Sequence, residues 1–301
     1  MSQVAFLFPG QGAQYVGMGR ELYQASPHAR RVFDSAAQMV GYDLARLCFE
    51  GPAEKLNSTI YSQPALFVSS MAALASFRAQ SPELVSACRA AAGLSLGEYS
   101  ALVFAGVLDF EKALGVVQER AQAMQAASDA QVSGMVSILG LDADEVELIC
   151  REARRDETLR VANLLCPGNV VISGTRSACE RAVALASATA MKMVPLDVSG
   201  AFHTALMQSA AERLATVLSE VPLARPRIEV VLNVDARPHD DPDEIRRLLV
   251  KQVAQPVLWE PSMRYLLGRG CTEFYEIGAG RVLRGLMKRI DREAKCHSVA
   301  A

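Results

Sequence analysis

Histidine is scarce in this 301-residue chain, with four, and the seven cysteines (Cys48, Cys88, Cys150, Cys166, Cys179, Cys271 and Cys296) form no Cys-x-x-Cys pair. That usage argues against a metal cage or a disulfide framework and points to a reducing cytosol. Charge of one sign is also lacking. Lysine and arginine number 31 against 33 aspartates and glutamates, so the formal net charge is −2. The basic excess that usually marks a nucleic-acid binder is absent. No long apolar run exists either: the tract from Pro64 to Phe77 is too short to span a bilayer and is closed by Arg78. The opening MSQVAFLFPGQG lacks the charged-then-apolar layout of a signal peptide. These absences predict a cytoplasmic protein without nucleic-acid or membrane partners. What is present is a chain half hydrophobic and long enough to bury a sizeable core.

Apolar periodicity predicts strands alternating with helices. A buried strand at 3–8 runs into the turn PGQGAQ, and helices follow at 28–40 and 63–79. A strand near 89–94, a helix from about Gly97 and a longer amphipathic helix from Asp109 to about Ala127 come next. This order implies an α/β fold with a mostly parallel sheet. Residues 134–198 read differently, as strand, helix, strand, strand, helix, strand, with Asp142 as an N-cap. The βαββαβ order is that of a ferredoxin-like unit. It predicts a small subdomain at 129–198 inserted into a large one made of 1–128 and 199–301. Beyond it the pattern resumes with a helix after His203, a strand at 227–233, a helix at 243–253, a strand near 271–277 and a final helix at about 280–292.

Gly93-Leu94-Ser95-Leu96-Gly97 fits the G-x-S-x-G nucleophile elbow, with strand before and helix after. In such a turn the serine hydroxyl is lifted off the sheet end, and the N–H of the next residue, Leu96, faces a developing oxyanion. An ordinary glycine-rich turn holding a buried serine is the plainer alternative. A serine nucleophile needs a base. His28 sits beside arginines at a helix start, His239 lies in an acidic loop and His297 in the tail, whereas His203 emerges between a strand and a helix as Ser95 does. His203 is therefore favoured. No third member is evident; Asp197 and Asp235 are candidates without support.

Arg120 is the most informative single residue. At roughly 100° per residue it falls in the apolar stripe of its helix with Phe110, Ala113, Leu114, Val117 and Met124, away from Glu111, Lys112, Gln118 and Glu119. An inward guanidinium is costly unless paired. It either snorkels to water near the helix end or grips a substrate carboxylate bidentately. The glycine loop around Gln11 is neither a Walker pattern nor a dinucleotide fingerprint, and its N–H groups suit a phosphate or an oxyanion.

Together these segments resemble the malonyl-CoA:acyl carrier protein transacylases of fatty-acid synthesis. FPGQGAQYVGMG, GLSLGEYSAL, VQERAQAMQ, GAFHTALM, LNVD and YEIGAGRVLRGL occur in the family's order over nearly the whole chain. The resemblance implies an α/β-hydrolase-like large subdomain carrying a ferredoxin-like small one. It implies Ser95 as the acylated nucleophile, His203 as base and acid, and Gln11 with the Leu96 N–H as oxyanion hole. Arg120 would hold the malonyl carboxylate, and the Gln252 main-chain carbonyl would orient the histidine in place of an acid. Asn163 and Phe202 would line the pocket, Phe202 in the manner of malonyl-selective enzymes. The donor would be malonyl-CoA and the acceptor an acyl carrier protein, with no metal or cofactor. Leu94 stands where the family more often has histidine, as in some bacterial members and in stand-alone polyketide acyltransferases, and Leu165 replaces a frequent second asparagine. For an acidic carrier, Arg281, Arg284, Lys288 and Arg292 fall near one face of the last helix, which is equally a solvated basic surface.

Overall fold

The computed structural model describes residues 3–300. Among them the strands are β1 (Gln3–Phe8), β2 (Cys88–Gly93), β3 (Ser133–Leu139), β4 (Leu159–Cys166), β5 (Asn169–Thr175), β6 (Lys192–Pro195), β7 (Glu229–Leu232), β8 (Arg237–Pro238), β9 (Val257–Leu258), β10 (Cys271–Gly278) and β11 (Lys295–Ala300). They build two sheets, so the protein is α/β with mixed sheets. One runs β11-β10-β1-β2-β7-β8 and is parallel except at the β7–β8 edge. The other runs β6-β3-β5-β4-β9 and is antiparallel except where β9 joins β4.

Side-chain size explains the centre of the large sheet. β1 is buried from Val4 onward and β2 is a run of alanines, so Phe6 faces Ala91 in register. Small residues on β2 leave room for the helix Gly97–Phe104, whose Phe104 ring stacks on Phe6 at 5.0 Å. The helix Thr59–Gln80 starts before the predicted 63 and carries Pro64 inside it. Nearly every face of that helix is buried, which is why its apolar run shows no stripe. No helix is long and apolar enough to cross a membrane among the described residues.

Helices Ala143–Arg154 and Arg176–Ala186 pack on the small sheet around Val136, Ile138, Val146, Leu159 and Ile172. Asp142 caps the first of them in a reciprocal capping box with Glu145. The order β6-β3-β5-β4 follows from the βαββαβ reading. Three expectations need correction. β9 comes from beyond the predicted insert and extends the small sheet, because Val257 and Leu258 pair with Asn163 and Leu164. The last strand of the insert stops at Pro195 rather than Val198. The supposed tail is edge strand β11, where His297 stacks on Tyr275 at 4.9 Å. The last helix spans Val282–Ile290, which leaves Arg281 at its N-cap and Arg292 beyond its end.

Candidate active site

Ser95 sits between β2 and the helix Gly97–Phe104 with φ 49°, a left-handed conformation that a side chain adopts at a cost of about 1–3 kcal/mol. The flanking glycines are needed for close approach. A Cβ on Gly93 would lie 1.9 Å from the Gly97 carbonyl carbon, and one on Gly97 would lie 2.1 Å from the Phe8 oxygen. The turn therefore packs backbone on backbone, and the serine projects into a cavity of about 500 Å³ between the two sheets. Gln11, Leu96, Arg120, Asn163, Phe202 and His203 line the same cavity.

His203 is 3% exposed, and its Nε2 lies 3.1 Å from Ser95 Oγ. Its Nδ1 is 2.7 Å from the Gln252 carbonyl oxygen. A carbonyl can only accept, so Nδ1 carries the proton and Nε2 presents a lone pair to the serine hydroxyl. Burial, aided by the Arg120 charge and opposed by the Gln252 carbonyl, lowers the imidazole to a pKa of about 4. The ring is then neutral at physiological pH. Neither candidate acid takes part. Asp235 pairs with His239 Nε2 at 2.8 Å, and Asp197 lines the cavity as an exposed residue.

Arg120 does not snorkel: the guanidinium is 1% exposed and lies over the Tyr99 ring, 5.6 Å from its centroid. Nη1 donates to Gln63 Oε1 at 2.6 Å. Nη2 donates to Gln252 Oε1 at 2.9 Å and to Ser95 Oγ at 3.0 Å. All these acceptors are neutral, and Nε has no acceptor among the described residues. Burial pulls its proton affinity below the ordinary value, with Tyr99 and Glu98 offsetting part of that. This is a buried cation still lacking a carboxylate in contact, an arrangement that favours an anionic ligand.

Gln11 is tethered through Nε2 to Thr59 Oγ1 at 3.3 Å, and Thr59 Oγ1 lies 2.8 Å from Ser199 Oγ. Leu96 is the N-cap of its helix, and its N–H meets no acceptor among the described residues. Asn163 carries a buried Oδ1 without a partner among the described residues, and Phe202 is 5% exposed at the wall. Thus Ser95, Leu96, Gln11, Arg120, His203, Phe202 and Asn163 share one cavity, with Gln252 fully buried behind it.

Sequence reasoning missed Gln63, Glu98 and Asn233. Gln63 heads an apolar helix and its partner lies 57 residues on, so no local pattern announces it. Glu98 is fully buried in the first turn after the elbow, where a carboxyl is unexpected. Burial pushes it up to about 8 against the Asn233 N–H, the Gln252 amide and Arg120. No cluster of three or more histidine, cysteine, aspartate or glutamate side chains that could hold a metal occurs among the described residues.

The description "acyl transferase domain" fits residues 5–296. The malonyl CoA-acyl carrier protein transacylase of Bacillus subtilis (strain 168) is 42% identical over 304 residues, covering 100% of this chain and 94% of that protein. Among solved structures, an acyl carrier protein S-malonyltransferase from Vibrio cholerae superposes with a TM-score of 0.95 at 39% identity, covering 99% of this chain and 97% of the other. A malonyl-transacylase in complex with its type II PKS acyl-carrier protein matches equally, with a TM-score of 0.95, 39% identity, and 99% and 96% coverage. The chain therefore belongs to the acyl transferase family, among the malonyl-CoA:acyl carrier protein transacylases.

Proposed function

We propose that this protein moves a malonyl group from coenzyme A to the phosphopantetheine thiol of an acyl carrier protein through a malonyl ester on Ser95. The observation that carries the reading is Arg120, a buried cation with only neutral partners, 3.0 Å from the Ser95 hydroxyl. A short acyl group ending in a carboxylate would meet both at once. The relatives' names agree, each being a malonyl transferase acting on a carrier protein.

Ser95 and His203 act as a dyad. The hydroxyl adds to the thioester carbonyl as its proton passes to Nε2, and the oxyanion is held by the Leu96 N–H and Gln11. Collapse breaks the C–S bond, and coenzyme A leaves with the proton from His203. The carrier thiol then gives its proton to His203 and attacks the ester; the acyl C–O bond breaks, and His203 returns the proton to Ser95 Oγ. A dyad without an acid suffices because a thiolate leaves far more readily than an amine. The Gln252 carbonyl orients the imidazole. The malonyl carboxylate also neutralises Arg120, relieving the repulsion that disfavours the imidazolium and so strengthening the base. Asn163 and Phe202 shape the acyl pocket. No metal or cofactor enters any of these steps.

In architectural terms, 1–128 and 199–301, apart from β9, form the α/β-hydrolase-like catalytic subdomain, and 129–198 with β9 the ferredoxin-like one. Arg281, Arg284, Lys288 and Arg292 are all exposed, and Val282 and Leu286 of the same helix line the cavity. A carrier docked there would bring its thiol to the mouth. The relative bound to a type II PKS carrier supports a polyketide carrier as the alternative acceptor to a fatty-acid one. The protein is expected to work in the cytoplasm. Mass spectrometry after mixing with malonyl-CoA tests the reading. A malonyl adduct on Ser95 that a carrier thiol discharges supports transfer. Rapid release of free malonate would make the protein a thioester hydrolase, and absence of both would remove the enzymatic reading.

A further inference from the structure

The segment Leu232-Asn233-Val234-Asp235 plays no part in the chemistry above. Asn233 follows β7 directly and is fully buried. Its Oδ1 accepts the Ser95 N–H at 2.7 Å, and its Nδ2 donates to the Gly93 carbonyl at 2.7 Å. Its own N–H donates to Glu98 Oε2 at 2.7 Å, and its carbonyl accepts the Leu258 N–H at 2.9 Å. One side chain thus grips the elbow on both sides of Leu94, and a carboxyl from the helix after the elbow grips that side chain's backbone. The grip needs an acceptor and a donor on one short side chain, which asparagine supplies and aspartate does not.

The consequence reaches the reacting atoms. The Ser95 N–H is spent on Asn233, and the Ser95 carbonyl accepts from Gln252 Nε2 at 2.9 Å. Both peptide groups that orient the strained serine are therefore held by side chains more than a hundred residues away in sequence. The neighbouring Leu96 N–H is left as the elbow's open donor. We propose that Asn233, held in place by Glu98, is a positioning residue for acyl transfer: it keeps the Ser95 hydroxyl in line with His203 Nε2 and the Leu96 N–H turned to the oxyanion. This rests on the reading of Ser95 as nucleophile.

Rapid-quench measurement of Ser95 acylation by malonyl-CoA tests it in Asn233→Asp, Asn233→Leu and Glu98→Leu proteins, alongside wild type and melting curves. Asn233→Asp keeps the acceptor for Ser95 but loses the donor to Gly93. The acylation rate is expected to fall about tenfold to a hundredfold in this variant, as misplacement of a reacting group predicts. The KM for malonyl-CoA should stay within about twofold, because the Arg120 anchor is untouched. Glu98→Leu removes the acceptor for the Asn233 N–H and should lower the acylation rate in the same direction as Asn233→Asp, again with the KM for malonyl-CoA held within about twofold. In a Ser95→Ala background, Asn233→Asp should leave malonyl-CoA affinity unchanged. A KM that rises as far as kcat falls, or wild-type acylation at a lowered melting temperature, overturns the inference. If Asn233→Leu or Glu98→Leu does not fold, the aspartate variant carries the test. No wild-type adduct would defeat the Ser95 reading itself, whereas a normal adduct with unaffected Asn233 variants defeats this inference alone.

Discussion

The two sheets divide the labour unequally. Around the large sheet the interior is laced with buried polar groups: Gln63, Glu98, Arg120, His203, Asn233 and Gln252 are all at most 3% exposed. The small sheet's own core, from Val136 to Ala186, is apolar. It gives the cavity mainly wall residues, such as Met135, Asn163, Leu165 and Val171. Non-glycine residues with positive φ show the same asymmetry. Of the four among the described residues, Ser95 and His203 line the cavity, Ala236 follows β7, and Arg155 alone lies beside the small sheet. Buried polar groups and strained backbone each cost stability, and the large sheet's parallel core offsets that cost where the reacting atoms must be held. The small sheet closes the cleft and bears less of that cost: Asn163 Oδ1 and Ser173 Oγ are buried without a partner among the described residues, and Arg155 has φ 51°.

That contrast can be broken or sharpened by experiment. The largest effect is expected at Arg120. Arg120→Ala removes the buried cation at the cleft and should lower kcat/KM for malonyl-CoA at least about a hundredfold, ~3 kcal/mol. Neutral acyl-CoA donors should then be used comparatively better. Full malonyl selectivity in a donor-competition assay would remove Arg120 from its role.

The pH profile comes next. With the imidazole lowered to about 4 from 6.5, kcat/KM should hold most of its plateau at pH 5.5, where an ordinary histidine would retain about a tenth. Stability should follow the same group. The unfolded chain binds more protons between about pH 4 and 6.5, so folding stability from this group is present above 6.5 and lost as pH falls toward 4. Glu98 works in the opposite sense. Its proton is held more tightly in the fold, so stability declines as pH rises from 4.5 to about 8, a slope that Glu98→Gln should flatten. Denaturant melts across pH would reveal both slopes.

On the small sheet, Ile172→Val should cost about 1 kcal/mol of stability by removing one buried methylene. Acylation kinetics below the melting transition should not change; a parallel loss of kcat would mean that the small core also positions the reacting groups. The smallest effect is expected on the rim. The double change Arg284→Glu and Lys288→Glu should raise the KM for carrier protein several-fold, under about 1 kcal/mol per charge, without altering that for malonyl-CoA. Equal effects on both substrates would move the docking surface elsewhere.

Much of this was legible before any coordinates. Strand-turn-helix around Ser95, elimination among four histidines and the inward phase of Arg120 each rest on local spacing, and local spacing is what period and turn chemistry report. The misses share a cause. β9 pairs with β4 from some ninety residues away and is two residues long, too short for any period. β11 reads as tail in the sequence because a strand of mixed polarity at a sheet edge has no apolar run. Gln63, Glu98 and Asn233 act through partners distant in sequence, so nothing beside them marks their role.

The sequence by itself determined the order of elements, the glycines that let the elbow close and the identity of the groups able to react. These depend on neighbours within a turn or two of the chain. Only the tertiary structure decided that the imidazole would be neutral, that the guanidinium would lack a carboxylate in contact and that every peptide group around Ser95 but one would be occupied. Those properties come from burial and from hydrogen bonds between elements far apart in the chain, and a low-dielectric interior makes each of them decisive.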